Sequence, residues 1–413
     1  MPLPYLCRTL EPTLREAVAE FPAVVLTGPR QSGKTTLLKQ LFGESHRYLS
    51  LELPDVRAAA LADPRGFLEA WAPPVIFDEV QYAPELLPYV KERIDAARDR
   101  AGQYLLSGSQ NLLLLDRVTE SLAGRAAVLR LLPLSWQEAA GRPEAVGPWW
   151  TPVDRAADVG DAAGDRLAFG DLWQSFLRGG YPELVAMPDR NLQLWHASYL
   201  QTYVERDVRT LRQVGDLTQF QSFLRVIAAR SGQLLNLSDV GRDLGIAVNT
   251  VKAWLSVLEA SYQVTVLRPY FANVGKRLVK TPKIYLSDVG TLCYLSGLRE
   301  AEHAAAGPLG GAILETAVLS QIVRTMAHRG EEPRVYFWRT AAGLEVDFVV
   351  ETGGRLVPIE VKLSGTPRPP MAAAIRTFQE DVGAQAGAGY VVHPGDVRLP
   401  LDPRVMALPF SDL

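Results

Sequence analysis

The chain has 413 residues, 47% hydrophobic and 22% charged, with a formal net charge of −3. That length accommodates several domains with real cores, and the balance excludes both a largely disordered chain and a uniformly basic nucleic-acid coat. Two cysteines, Cys7 and Cys293, and five scattered histidines exclude a disulfide scaffold and a zinc ribbon. No apolar run reaches the ~18 residues of a membrane span. The opening MPLPYLCRTLEP has no charged-then-apolar leader pattern. The expectation is a soluble, cytoplasmic, multidomain protein with no membrane partner.

Residues 21–36 predict a buried strand (AVVLTG), a glycine-containing loop and the start of a helix. PPVIFDEV at 73–80, QYLLSG at 103–108 and AAVLRLL at 126–132 predict three more buried strands, with helical stretches between them. Continuous apolar strands alternating with helices indicate a parallel α/β sheet covered on both faces. At 141–166 the composition shifts to three Pro, four Gly and five acidic residues, which reads as a mobile insertion. Residues 167–230 read as helical. Residues 234–290 read as helix, turn, helix and two strands, and 300–311 (EAEHAAAGPLGG) as a linker. Beyond 312 the pattern is a helix, strands at 334–338, 344–350 and 356–363, a Pro-rich turn, a helix and a strand, GYVVHP.

Gly28-Pro29-Arg30-Gln31-Ser32-Gly33-Lys34-Thr35, followed by Thr36, fits the phosphate-loop pattern G-x-x-x-x-G-K-[ST]. The glycines let successive N–H groups turn toward phosphate oxygens, and the helix that follows adds its positive end. In this pattern Lys34 reaches the β- and γ-phosphates and Thr35 ligates magnesium. The strand-loop-helix context identifies a nucleotide site for ATP and Mg2+. Asp78 and Glu79 close the apolar strand Val75-Ile76-Phe77. Asp78 is then the carboxylate that holds magnesium through water, and Glu79 the base that orients and deprotonates the attacking water.

With GPRQSGKTT, VIFDEVQ, LLSGSQN, LAGR, RGGYPE and EVDFVV…PIEVK, the sequence resembles AAA-type (AAA+) P-loop ATPases. More specifically, it resembles a bacterial and archaeal family that joins such an ATPase to a C-terminal domain of unknown function, over about residues 15–410. The resemblance implies further roles. Ser109 or Asn111 would be a polar sensor of the γ-phosphate, or simply part of a Ser-Gly turn. Arg125 would be an arginine finger acting in trans in a neighbouring subunit, or a surface ion pair. Arg178 would be a second sensor in cis, or a capping and packing residue. A finger in trans requires a homo-oligomer, and a ring of six is the default for the AAA type.

Leu237–Gly245 reads as a short helix ending in Gly, Ile246–Val248 as a turn, and Asn249 as the cap of a longer helix bearing Val251, Leu255 and Leu258 on one face. This is helix-turn-helix spacing. Arg268, Lys276, Arg277, Lys280 and Lys283 follow with no acid among them, as in a phosphate-binding wing, and Thr250 and Lys252 would face a groove. Such domains bind DNA or pack against protein.

Asp347 lies on one predicted strand, and thirteen residues on Glu360 and Lys362 share a face of the next. With Glu315 on the preceding helix, the set resembles the PD-(D/E)XK nuclease site. There two acids, here Asp347 and Glu360, bind a divalent metal, and the lysine positions the attacking water. The alternative is a structural salt-bridged pair.

The expected architecture is α/β. An AAA-type parallel-sheet P-loop ATPase core spans 1–135, and a helical lid 136–215. A winged helix spans 216–295 and a PD-(D/E)XK-like α/β domain 296–413. The expected function is an oligomeric Mg-dependent ATPase that binds DNA, including branched DNA, and translocates on or remodels it. One alternative is a metal-dependent DNA nuclease gated by ATP. The other is a nucleotide-dependent switch or assembly protein that engages protein partners in defence or signalling.

Overall fold

A computed structural model describes residues 4–109, 121–145, 168–203, 217–270 and 280–413. The insertion predicted at 141–166 lies outside these residues beyond Ala145.

The N-terminal half begins with α1 (Glu11–Glu20), β1 (Ala23–Thr27), α2 (Lys34–Phe42) and β2 (Arg47–Ser50). It continues with α3 (Pro54–Ala62), α4 (Pro64–Ala70), β3 (Val75–Asp78), α5 (Leu87–Ala96), β4 (Tyr104–Gly108) and β5 (Ala126–Arg130). The strands form a parallel sheet in the order β2-β3-β4-β1-β5. Every residue of β1, β3 and β4 is buried. Their unbroken apolar character follows from helices covering both faces. One apolar cluster, with Val25, Phe77, Val90 and Leu106, lies on one face. A second, with Leu14, Leu26, Leu37 and Leu105, lies on the other. The sequence did not announce β2, because the RYLS segment is short and only Leu49 is buried.

Next come α6 (Trp136–Ala139), α7 (Phe169–Arg178), α8 (Pro182–Ala186), α9 (Leu192–Tyr203) and α10 (Leu217–Ala229). In α7, Leu172, Trp173, Phe176 and Leu177 recur at helical spacing and are all buried. The helix-turn-helix is α11 (Leu237–Leu244) and α12 (Val248–Ala260). Asn236 caps α11, and Gly245 ends it in the left-handed conformation. The second helix starts one residue before Asn249, with Ala247 at its N-cap and no side-chain cap. The buried face formed by Val251, Trp254, Leu255 and Leu258 sets the helix in place of a capping bond. β6 (Gln233–Leu234), β7 (Val264–Pro269) and β8 (Lys283–Leu286) accompany it.

The remainder holds α13 (Val289–Leu295), α14 (Ala301–Ala306), α15 (Gly310–His328), β9 (Val335–Arg339), β10 (Glu345–Thr352) and β11 (Arg355–Val361). It ends with α16 (Ala373–Val382), β12 (Gly389–His393), β13 (Leu399–Asp402) and β14 (Val405–Pro409). The stretch expected as a linker carries α14, since Ala304 and Ala305 are buried. Among the described residues the second sheet runs β13-β14-β12-β11-β10-β9-β7-β8-β6. β7 joins β9 through two registered pairs, Arg268↔Tyr336 and Pro269↔Phe337. One apolar core continues from Leu172 to Leu413, through the helical region, the helix-turn-helix and the second sheet.

Buried polar contacts fasten this half to the first. Arg8 donates to the Ser32 carbonyl at 2.9 Å and the Leu132 carbonyl at 2.6 Å, and pairs with Glu138 at 3.2 Å. Glu138 lies 3.1 Å from Nδ1 of His328, at the end of α15. Nε2 of His328 accepts the Leu132 amide at 3.1 Å. Arg324 donates to the Leu134 carbonyl at 2.8 Å and pairs with Asp288 at 3.3 Å. Gly180 sits inside this joint, where a Cβ would come within 2.5 Å of the Arg324 guanidinium. That contact accounts for the second glycine of RGGYPE.

Burial opposes the ionised Glu138 carboxyl, but Arg8, His328 and the Ser135 amide hold it well below the usual carboxylate range. Replacing Glu138 with Gln leaves Arg8 buried without its counter-charge. The expected cost is about 3–5 kcal/mol, read as a lowered midpoint in denaturant unfolding. Burial lowers the pKa of His328, so near 6.5 the unfolded chain takes up a proton that the folded chain refuses. Stability is therefore lost as pH falls below about 6.5. His328→Gln is expected to flatten that pH dependence between pH 5.5 and 7.5.

Candidate functional site: a nucleotide cleft at the phosphate loop

The phosphate loop joins the buried end of β1 to the start of α2. Gly28 has φ +147°, and a Cβ there would lie 2.0 Å from the Leu131 carbonyl oxygen, so the first glycine of the motif is required by backbone contact. Lys34 is 5% exposed, and its ammonium donates to the carbonyls of Gly28 at 2.9 Å and Pro29 at 2.8 Å.

The Thr35 hydroxyl donates to Asp78 at 2.8 Å across the gap between α2 and β3. Tyr48 donates to the same Asp78 oxygen at 2.7 Å, and Ser107 donates to the other. Burial and the bond to Asp78 push the Tyr48 phenol well up, which keeps it a donor. Three hydroxyls thus orient one buried carboxylate. A paired hydroxyl and carboxylate of this kind are hard oxygen donors that suit magnesium.

Glu79 has φ +56°, left-handed backbone that a non-glycine residue adopts at a cost of about 1–3 kcal/mol. The turn swings its side chain out of the strand, where it accepts from Gln81 and, at 3.2 Å, from the Ser109 hydroxyl. Ser109, predicted as a sensor, is therefore in contact with the candidate base. Asn111 lies outside the described residues.

A cleft of about 610 Å³ opens over the loop. Arg30, Gln31, Gly33, Lys34, Thr35, Thr36 and Glu79 form one wall. Pro29 and Ser32 are buried beneath it. The opposite wall comes from the helical region and was not foreseen: Pro182, Glu183, Arg190, Trp195, Ser198, Tyr199 and Thr202. Arg190 pairs with Glu183, whose other oxygen accepts the Trp195 indole N–H at 3.0 Å. The rings of Trp195 and Tyr199 stack, with centroids 5.2 Å apart. The RGGYPE motif was the available signal, because Pro182 and Glu183 reach the cleft directly.

Arg178, expected at the nucleotide, does not line this cleft. Its guanidinium donates to the carbonyls of Leu184 at 3.0 Å and Pro188 at 2.9 Å, which is the packing role. Those bonds hold the turn that carries Arg190 forward. Arg125 makes two bonds to Asp95, at 2.6 and 2.9 Å, so within one chain it forms an ion pair.

The expected cationic wing is divided. Lys252, Arg268 and Lys280 are exposed and Thr250 is half-buried. Lys276 and Arg277 lie outside the described residues. Lys283 is 3% exposed and belongs to no surface patch. It points into the C-terminal acidic centre, where it pairs with Glu345 and lies 3.7 Å from both Glu315 and Asp347. Its neighbour Lys362 pairs with Glu360. Among the described residues no three His, Cys, Asp or Glu side chains are grouped to hold a metal ion. No described helix is long and apolar enough to cross a membrane.

Residues 20–140 match the AAA domain family. Residues 170–302 match a domain of unknown function, DUF8612, and residues 310–413 another, DUF4143. The uncharacterized protein Rv2008c of Mycobacterium tuberculosis is 32% identical over 402 residues, 97% of this chain and 82% of that protein. The uncharacterized protein Mb2031c of Mycobacterium bovis matches to the same extent. The chain belongs to their family. This chain joins the AAA domain to a C-terminal DUF4143 domain. Among solved structures, the Walker-type ATPase paby2304 of Pyrococcus abyssi is 17% identical, with a TM-score of 0.45, over 69% of this chain and 94% of that one.

Gly28→Ala is expected to lower the unfolding free energy by about 1–3 kcal/mol, read as a lower denaturant midpoint. It should also abolish binding of a fluorescent ATP analogue, because the loop cannot keep its path past Leu131.

Proposed function

We propose that the protein is a Mg-dependent ATPase whose turnover is coupled to DNA. The observation that carries the hydrolytic reading is that Thr35 and Glu79 line one cleft, with Asp78 hydrogen-bonded to Thr35 behind it. Thr35 and Asp78 would hold Mg2+, which when bound neutralises charge on the β- and γ-phosphate oxygens. The loop amides and Lys34 bind the triphosphate, for which Lys34 exchanges its bonds to loop carbonyls for bonds to phosphate. Glu79, aimed out of β3 by its left-handed turn, accepts the proton of the attacking water. Ser109 fixes the Glu79 carboxylate and is suited to report on the γ-phosphate. Arg190 is the lid cation that faces the cleft, and we assign it the phosphate-contacting role that Arg178 does not fill. A finger role for Arg125 in an oligomer requires its pair with Asp95 to open first.

The coupling to DNA is supported by the α11-turn-α12 unit, followed by β7 and β8, and by the exposed cations Lys252, Arg268 and Lys280. A second reading, a nucleotide-dependent switch engaging protein, is favoured by the contacts behind the loop. Ser32 is held by Arg8, and Thr27 accepts the Tyr262 hydroxyl at 2.9 Å, so both loop ends touch elements outside the first sheet.

Glu79→Gln is expected to bind ATP normally and to turn over ~10²–10⁴-fold more slowly, in steady-state phosphate release. Arg190→Ala should slow turnover about tenfold, equivalent to ~1.4 kcal/mol of barrier, with its unfolding midpoint unchanged. Turnover measured with single-stranded, duplex, forked and four-way-junction DNA separates the two readings. Stimulation by one form that fades as salt is raised supports the DNA reading. Indifference to all four overturns it in favour of the switch.

A further inference from the structure

The C-terminal acidic centre does not fit the metal site that its PD-(D/E)XK resemblance implies. Its carboxylates come from three elements: Glu315 on α15, Glu345 and Asp347 on β10, and Glu360 on β11. A divalent ion would need several of their oxygens to converge on one point at ~2.0–2.6 Å. Most of their oxygens are otherwise engaged. Asp347 accepts the Val361 amide at 2.8 Å with one oxygen and faces the Lys283 ammonium at 3.7 Å with the other. One oxygen of Glu315 both accepts the Tyr285 hydroxyl at 3.0 Å and lies 3.7 Å from Lys283. Glu345 is shared between Lys283 and Arg339, the latter at 2.8 Å. Glu360 gives one oxygen to Lys362, and its other oxygen is buried with no hydrogen-bond partner.

We propose that the ammonium of Lys283 takes the place of the divalent cation, so that the centre is metal-free and works as a buried charge latch joining β8 to β10 and α15. A lysine this deeply buried is tolerated only beside compensating charge. Burial pulls its pKa down, and Glu315, Asp347 and Glu345 together more than offset that. The carboxylates in turn gain part of the positive charge that a nuclease site takes from its metal, while burial still raises Glu315, Asp347 and Glu360 above the usual carboxylate range. The latch also has a place in the fold. Among the described residues the strands of the helix-turn-helix unit join the C-terminal strands through two registered residue pairs, and Lys283 spans the same junction with side-chain charge. A doubly charged ion placed among these carboxylates would meet the ammonium as a like charge. The centre then supports no metal-dependent strand cleavage. This inference is independent of the ATPase reading.

The test counts Mn2+ ions bound to the nucleotide-free full-length chain by titration calorimetry. Any ion held at Thr35 and Asp78 is a common background in every variant. Wild type and Asp347→Asn are expected to bind the same number. Folded Lys283→Ala should bind one more, and Lys283→Ala with Asp347→Asn should lose that extra ion. Mn2+ should also raise the unfolding midpoint of Lys283→Ala above its metal-free value. A wild-type ion that disappears in Asp347→Asn overturns the proposal, as does a folded Lys283→Ala that gains none. If Lys283→Ala does not fold, the comparison of wild type with Asp347→Asn decides alone.

Discussion

The guanidinium of Arg8 is buried against the carbonyl of Ser32, inside the phosphate loop, and against the carboxylate of Glu138, which touches His328 at the end of the long C-terminal helix. Each of these groups is costly to bury alone, and each is answered by the others. The constraint is mutual. The loop keeps its shape because Arg8 holds it from behind, and Arg8 is tolerated because residues about 130 and 320 positions away supply its partners. The segment after β5 is consequently pinned between the first sheet and α15. Trp136 donates its amide to Gln321, and Gln137 donates to the carbonyl of Leu413.

That pinning shapes the cleft. With α15 fixed, Arg324 and Asp288 hold the Gly179-Gly180 turn, and the turn delivers Pro182 and Glu183 to the rim of the phosphate loop. The lid wall is then built by α9, whose Trp195 and Tyr199 stack along one side. Arg178 spends its hydrogen bonds on the carbonyls that terminate α8 and its following turn. Of these two arginines, the one that lines the cleft is therefore Arg190, twelve residues on. A single arginine position inferred by analogy misses this division of labour, because Arg178 ends α7 while Arg190 lies in the turn before α9, and the fold around each decides what it meets.

The second half of the molecule turns on an opposite use of charge. In the nucleotide cleft, Asp78 is oriented by hydroxyls, which leave its negative charge available to a cation. In the C-terminal centre, carboxylates are met instead by ammonium groups from Lys283 and Lys362. Similar acidic residues at strand ends thus have different chemical prospects, decided by the neighbours that the fold supplies.

The parallel sheet, the phosphate loop, the strand-end acids and the helix-turn-helix were all legible in the sequence. Their determinants are contiguous. Apolar runs make buried strands, two glycines permit the loop's backbone, and Gly245 ends a helix, each within a few residues of the feature it controls. The element boundaries departed from expectation where packing outweighed local chemistry, as in β2, α14 and the start of α12. The tertiary structure alone decided which of Arg178 and Arg190 lines the nucleotide cleft and that Lys283 is buried in the acidic centre. It also decided that the two halves are joined through Arg8, Glu138 and His328. These outcomes depend on burial and on charge pairing between side chains tens to hundreds of residues apart. An isolated lysine or arginine in the sequence carries the same charge whether it meets water or a carboxylate, and only the fold chooses between them.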